Sequence, residues 1–130
     1  MTDAQVKDAF TKDAMCIRED ENLNDVRDTL SQSRFRSFPV VDQKGRLTGI
    51  LSLSDYENIP ADVQPAPTIR KISTSDVVTV TEAEPLFSAL GKISSGDFAI
   101  LPVIDPKERT VLGIISRSDI LRTLHRSMKK

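Results

Sequence analysis

Two stretches of this chain repeat one another at a fixed spacing, and nothing else in the sequence constrains the fold as strongly. At an offset of 63 residues Ile17 lies over Val80, Leu23 over Leu86, Val26 over Ala89, Leu30 over Ile93 and Phe35 over Phe98, and Pro39 and Asp42 lie over Pro102 and Asp105. After one added residue the offset becomes 64, and Gly49-Ile50-Leu51-Ser52-Leu53-Ser54-Asp55 lies over Gly113-Ile114-Ile115-Ser116-Arg117-Ser118-Asp119. The chain is a duplicated unit, so any reading of one copy must also serve the other.

Each copy opens with a short apolar segment suited to a strand, Met15 to Ile17 and Val77 to Val80. An amphipathic helix follows. In the first copy Leu23, Val26 and Leu30 recur at helical spacing behind Asn22, a residue that can cap free amides. In the second, Pro85 suits the first helical position, Leu86, Ala89, Leu90 and Ile93 form the stripe, and Gly96 suits the stop. Phe38-Pro39-Val40-Val41 and Leu101-Pro102-Val103-Ile104 then read as strands, each ending at an Asp and a polar turn before a second strand. The added residue belongs in the second turn. Proline has no ladder donor, so Pro39 and Pro102 are expected at a strand start or an exposed edge, leaving nearby backbone groups free for a ligand. A last helix opens at Ser54-Asp55 and at Ser118-Asp119; Pro60 stops the first.

The expected class is therefore α/β (α+β), with β-α-β-β-α occurring twice. Two such copies can pack sheet to sheet with pseudo-two-fold symmetry, burying faces that one copy alone leaves open. The expected divisions are an N-terminal helical lead over 1–14 with Val6 and Phe10 on one face, repeats over 15–59 and 73–126, a linker over 60–72 with prolines from Pro60 to Pro67, and a tail over 127–130.

Composition narrows the function. A chain of 130 residues is large enough for one compact domain, and a net charge of -1 with 28% charged and 38% hydrophobic residues argues against disorder and against nucleic-acid binding. No apolar run approaches the ~20 residues of a membrane span, and Met1-Thr2-Asp3-Ala4 lacks signal-peptide character. A cytoplasmic protein without direct membrane insertion is expected. One cysteine and one histidine leave no disulfide and almost no ligands for a structural metal. Cys16 reads as a small hydrophobe, not an activated thiol, and His125 as a surface residue near a helix end.

The two apolar-Pro-Val-Val/Ile-Asp segments and the two Gly-Ile-x-Ser-x-Ser-Asp segments, in register in both copies, resemble the cystathionine-β-synthase (CBS) domain pair, or Bateman module, over roughly Lys12 to Arg126. The resemblance implies a regulatory, non-catalytic module of a channel, transporter or enzyme. Such modules commonly sense AMP, ADP, ATP or S-adenosylmethionine and dimerise into a flat disc. Phe38 to Asp42, Gly45 to Ile50 and Gly113 to Asp119 are further similar to the cytoplasmic tails of microbial chloride channels.

The resemblance also implies two nucleotide pockets between repeats. One would join Cys16, Ile17, Ser37, Phe38 and Pro39 to Ser116, Arg117, Ser118 and Asp119. The other would join Thr79, Val80, Ile100, Leu101 and Pro102 to Ser52, Ser54 and Asp55. The chemistry is sound: a carboxylate accepts from both ribose hydroxyls, apolar groups flank adenine, open backbone reads its edge, and hydroxyls and amides at a helix start suit phosphate. Asp55 and Asp119 also fit plain helix capping, and both roles can hold together. Ser52 and Ser116 read equally well as strand-end hydroxyls. Arg117, where the first copy has Leu53, makes the Asp119 pocket the better phosphate site. Arg34 and Arg36 read as solvated charges.

No Gly-rich phosphate loop or nucleophile elbow supports catalysis. Two other readings stand beside the sensor: a ligand-free dimerisation scaffold, and a magnesium-responsive transporter tail using Asp20, Glu21, Asp25 and Asp28. These four also read as a solvated helix face.

Overall fold

The computed structural model describes residues 3–128. It divides into two units: residues Met15–Val77 form one, and Val78 onward together with the residues up to Ala14 form the other. They are called below the first-repeat and second-repeat units. Among the described residues the fold is mixed α/β with two three-stranded sheets.

In the first-repeat unit β2 (Ile17–Arg18) pairs parallel with β3 (Ser37–Val41), which pairs antiparallel with β4 (Leu47–Ser52). The helices are α1 (Leu23–Gln32), α2 (Leu53–Tyr56) and α3 (Ile69–Ile72). Asn22 caps α1 as expected, its side chain accepting from the Asn24 amide at 2.9 Å. Leu23, Val26 and Leu30 are buried with Ile17, Phe38, Val40, Leu51, Tyr56 and Ile69 in one core. The stripe predicted from the sequence is thus the packed face of α1.

In the second-repeat unit the sheet order is β1 (Thr11–Lys12), β6 (Val111–Ser116), β5 (Ile100–Ile104). Helices α4 (Leu86–Gly96) and α5 (Arg117–Met128) pack with it. Its core holds Val6, Val80, Leu86, Ala89, Ile93, Leu101, Val103, Ile115, Ile120 and Leu124. Both hairpins carry an irregularity at the same repeat position, between Val40 and Val41 and between Val103 and Ile104. Asp42 and Asp105 each cap their own turn. Asp42 Oδ1 accepts from the amides of Lys44 and Arg46 at 2.9 and 3.0 Å, and Asp105 Oδ1 from those of Lys107 and Glu108, both at 2.8 Å. The added residue falls in this second turn, where Arg109 takes φ 61°.

The helix expected over 1–14 does not form in the described part. Residues Val6–Asp8 make one 3-10 turn, and Thr11–Lys12 become β1, antiparallel to β6. Val6 is buried, but its place is set by backbone pairing rather than by a helical stripe. Its amide donates to Glu84 O at 2.8 Å and that of Lys7 to Glu82 O at 3.0 Å, while Leu86 donates to Ala4 O at 3.0 Å. The first-repeat unit makes the same three bonds 63 residues along: Ile69 to Glu21 O at 2.9 Å, Arg70 to Glu19 O at 2.9 Å and Leu23 to Pro67 O at 2.9 Å. The duplicated unit therefore includes its lead. The lead before the first repeat completes the second-repeat unit, and the lead before the second repeat completes the first.

Three smaller expectations need correction. Pro39 and Pro102 are buried at the middle of β3 and β5, not at a strand start or exposed edge. They are tolerated because β2 begins opposite Val40 and Val80 pairs only with Val103, so no neighbouring strand needs the missing donor. Pro85 is the N-cap of α4 rather than its first residue, and the left-handed residue beyond α4 is Asp97 at φ 52°, not Gly96. A Cβ at Gly96 would lie 2.0 Å from the ring of Phe98, a 36% exposed side chain that would have to turn aside.

Candidate functional site

Each unit places a strand-start group beside a Ser-x-x-Asp helix start. In the first-repeat unit Ser37 opens β3 opposite Ser52, the last residue of β4, with their hydroxyls 3.4 Å apart. Ser52 is the N-cap of α2, and its amide donates to Asp55 Oδ2 at 2.8 Å. Ser54 is exposed beside it. In the second-repeat unit Ile100 opens β5 opposite Ser116, the last residue of β6. The Ser116 amide donates to Asp119 Oδ2 at 3.0 Å, and the Asp119 amide donates back to Ser116 Oγ at 3.2 Å. These are reciprocal capping boxes, so the capping role of both aspartates is realised.

Capping uses one carboxylate oxygen. Asp119 Oδ1 is left facing the Arg122 guanidinium at 3.5 Å, and the aspartate side chain is only 14% exposed. Arg122 lies one helical turn on, a partner that the sequence signals only through its i,i+3 spacing. Arg117 is exposed, and its guanidinium has no ion pair or hydrogen bond among the described residues. Its counterpart Leu53 packs against the first-repeat core. The two helix starts therefore share a backbone but differ in charge: a free cation stands beside Asp119, an apolar group beside Asp55. Ser118 is exposed next to Arg117.

The strand-start residues offer mainly backbone. Ile17, Phe38, Val80 and Leu101 have their side chains in the cores of their own units, Ile100 is buried, and Cys16 is half-buried. Burial pushes the Cys16 thiol above its ordinary pKa, which favours the inert thiol over the thiolate. Val80 N–H donates to Pro102 O at 3.0 Å, which uses the proline carbonyl. The Thr79 carbonyl accepts from Lys92 Nζ at 2.9 Å, an ammonium that also pairs with Glu84 at 2.9 Å. Lys92 is a second residue that sequence reasoning did not single out; it lies on the α4 face away from the predicted stripe.

Within each unit, then, the strand-start half of one expected pocket adjoins the Ser-x-x-Asp half of the other. The acidic quartet Asp20, Glu21, Asp25 and Asp28 does not converge: among the described residues no three Asp, Glu, His or Cys side chains are grouped to hold a metal ion. Asp20 pairs with Arg18 at 3.0 Å instead. No helix of the described residues is long and apolar enough to cross a membrane.

Comparison with known proteins bears on this arrangement. The family model described as CBS domain matches residues 6–57 and 69–126, both matches starting within the leads. A homoserine O-acetyltransferase from Methanococcoides burtonii is 29% identical over 95% of this chain, and the chain spans 25% of that relative's length. Among solved structures, the CBS domain pair of protein MJ0100, in complex with 5'-methylthioadenosine and S-adenosyl-L-methionine, is 29% identical with a TM-score of 0.80, covering 99% of this chain and 100% of that one. The cytosolic domain of the Mg2+ channel MgtE in complex with ATP is 25% identical with a TM-score of 0.80, covering 94% of this chain and 49% of that one.

Proposed function

This chain belongs to the CBS-domain family as a tandem pair of repeats, and on that premise we propose that it is a regulatory module that binds an adenine nucleotide and reports its occupancy to an effector. The observation that carries the reading is the match, along essentially the whole of both chains, to a CBS pair whose ligands are adenosine derivatives. The chain does not catalyse. It controls a channel, transporter or enzyme attached to it or associated with it, of which a chloride channel is one form, and it acts as a homodimer.

The pocket of the reading joins Cys16, Ile17, Ser37, Phe38 and Pro39 to Ser116, Arg117, Ser118 and Asp119. Asp119 Oδ1 accepts from the ribose hydroxyls, and the strand-start backbone beside Pro39 reads the adenine edge. The free guanidinium of Arg117, with the first amides of α5, takes phosphate. This charge favours AMP, ADP or ATP over S-adenosylmethionine, which has no phosphate. The other pocket, built on Asp55, has Leu53 in place of the cation and binds more weakly or not at all. Occupancy is transmitted only to the extent that the ligand prefers one of two geometries of the pair.

Isothermal titration of the chain with AMP, ADP, ATP and S-adenosylmethionine tests this. Binding of a phosphate-bearing nucleotide that weakens at least tenfold in Asp119→Ala and in Arg117→Leu, with both variants folded, is the expected result. Absence of heat with all four ligands would overturn the sensor and favour the dimerisation scaffold.

A further inference from the structure

A surface pocket of about 350 Å³ opens in the first-repeat unit between the C-terminal end of α1 and the start of α2. Its wall carries Arg34 and Arg36, the hydroxyl residues Ser31 and Ser33, and the ring face of Phe35, and Tyr56 closes it. None of its lining residues is acidic. The Arg34 guanidinium stacks over the Phe35 ring at 4.9 Å, and neither arginine has a carboxylate partner among the described residues. Tyr56 is 3% exposed as a residue, and its phenol oxygen, which bonds to no described residue, is the part that still reaches solvent; the enclosed side-chain atom without a partner among the described residues is Arg27 Nε. A phenol donor that still reaches solvent, next to two unpaired cations, is an arrangement that an anionic acceptor entering the pocket can use in place of water.

The duplication supplies an internal control. At the same repeat positions the second-repeat unit has Asp97 for Arg34, Ala99 for Arg36 and Ile120 for Tyr56. Ile120 is fully buried in its core, so the backbone needs no hydroxyl at this position to fold. Three polar differences at one place, on an otherwise shared scaffold, point to chemistry rather than to folding.

We propose that this pocket binds a phosphoryl oxyanion, with the Arg34 and Arg36 guanidiniums and the Tyr56 hydroxyl as donors. Arginine forks suit such oxygens because they donate in pairs in a fixed plane, and the stacking of Arg34 on Phe35 holds one fork ready. Two sources share the chemistry: a free inorganic anion, or the terminal phosphates of a nucleotide. Tyr56 is shifted to a higher pKa, first by burial, while the nearby Arg27 and Arg36 charges oppose that shift. It is therefore a protonated donor at neutral pH.

The test uses inorganic pyrophosphate as the probe. The chain has one tyrosine and no tryptophan, so its intrinsic emission reports Tyr56 directly. Pyrophosphate should change that emission saturably and give matching heat in titration calorimetry. Installing the second repeat's residues, Arg34→Asp with Arg36→Ala, should weaken binding at least tenfold. Tyr56→Phe, which keeps the buried ring, should weaken it several-fold in calorimetry. Arg126→Ala, the loss of an exposed charge elsewhere, should leave it unchanged. Asp119→Ala should leave pyrophosphate binding intact, which separates this site from the nucleotide reading. ATP that displaces pyrophosphate only while Asp119 is present would identify the oxyanion as a nucleotide's own tail; equal displacement in both proteins would identify a free anion. No saturable response in the folded wild-type chain, or equal affinity in the double arginine variant, would overturn the proposal.

Discussion

The exchange of leads makes a graded prediction at two equivalent glycines. Gly113 of β6 lies against β1, and a Cβ built there would sit 2.2 Å from Thr11 O and 2.8 Å from the Phe10 ring. Ordinary carbon–oxygen contact begins near 3.3 Å, so β1 would have to retreat by about 1 Å. The obstacle is backbone, which cannot rotate away. Overpacking of this kind costs about 1–3 kcal/mol. Displacement of the lead further exposes Val6, now 0% exposed, whose burial is worth about 1.5–3 kcal/mol. Gly113→Ala should therefore destabilise by about 3 kcal/mol, or a fall in Tm of roughly 10 °C. Gly49, its equivalent, is less tightly covered: the added Cβ would lie 2.8 Å from Thr74 O and 3.1 Å from Ser73 Oγ. A shift of about half an ångström relieves it, at about 1 kcal/mol. Gly91→Ala is the control, since nothing lies within 4 Å of its added Cβ in mid-α4, and it should stabilise by about 0.5–1 kcal/mol. Urea unfolding followed by circular dichroism measures all three from the midpoint at constant m-value. Equal losses at Gly113 and Gly49, or a Gly113→Ala chain within about 0.5 kcal/mol of wild type, would refute the seating of the leads.

Two further outcomes follow from the caps and turns. Asp119→Ala removes the acceptor for the Ser116 amide and should cost about 1 kcal/mol in a thermal melt without ligand, while Asp119→Asn, which keeps an acceptor, should cost less than half of that. Asp42 and Asp105 are held below the usual carboxylate range, Asp42 chiefly by the Arg46 amide and Asp105 chiefly by the Glu108 and then the Lys107 amides. Because their folded pKa values are depressed, their contribution is complete above the unfolded value near 4 and is lost as pH falls through the folded values. Asp105→Asn should therefore flatten the acid limb of a stability-versus-pH curve and leave the relative change above pH 5 small.

Much of the fold could be read from residue patterns. Leu23, Val26 and Leu30 recur at the spacing of one helical face, Asn22 caps the turn before them, and Asp42 and Asp105 close turns with their own side chains. Each of these signals is local, acting over a few residues, so a linear string carries it. The same holds for the Ser-x-x-Asp helix starts, whose capping boxes need only three residues. The duplication, once seen, required that both copies build the same unit.

Other features were decided by the tertiary structure alone. Residues 3–14 carry Val6 and Phe10 at helical spacing, but long-range amide pairing to Glu82 and Glu84 and the edge of β6 outweigh that weak local preference. The buried prolines needed the short reach of β2 to explain why no donor is missed. Arg34 and Arg36 are ordinary solvated charges in the sequence; only the fold brings them to one pocket with Tyr56. Sequence by itself determined the repeat, its amphipathic helices, its hairpins and the caps of its helix starts, because these rest on neighbours along the chain. Which lead completes which unit, and which charges share a pocket, depend on contacts between residues tens of positions apart, and these exist only once the chain has folded.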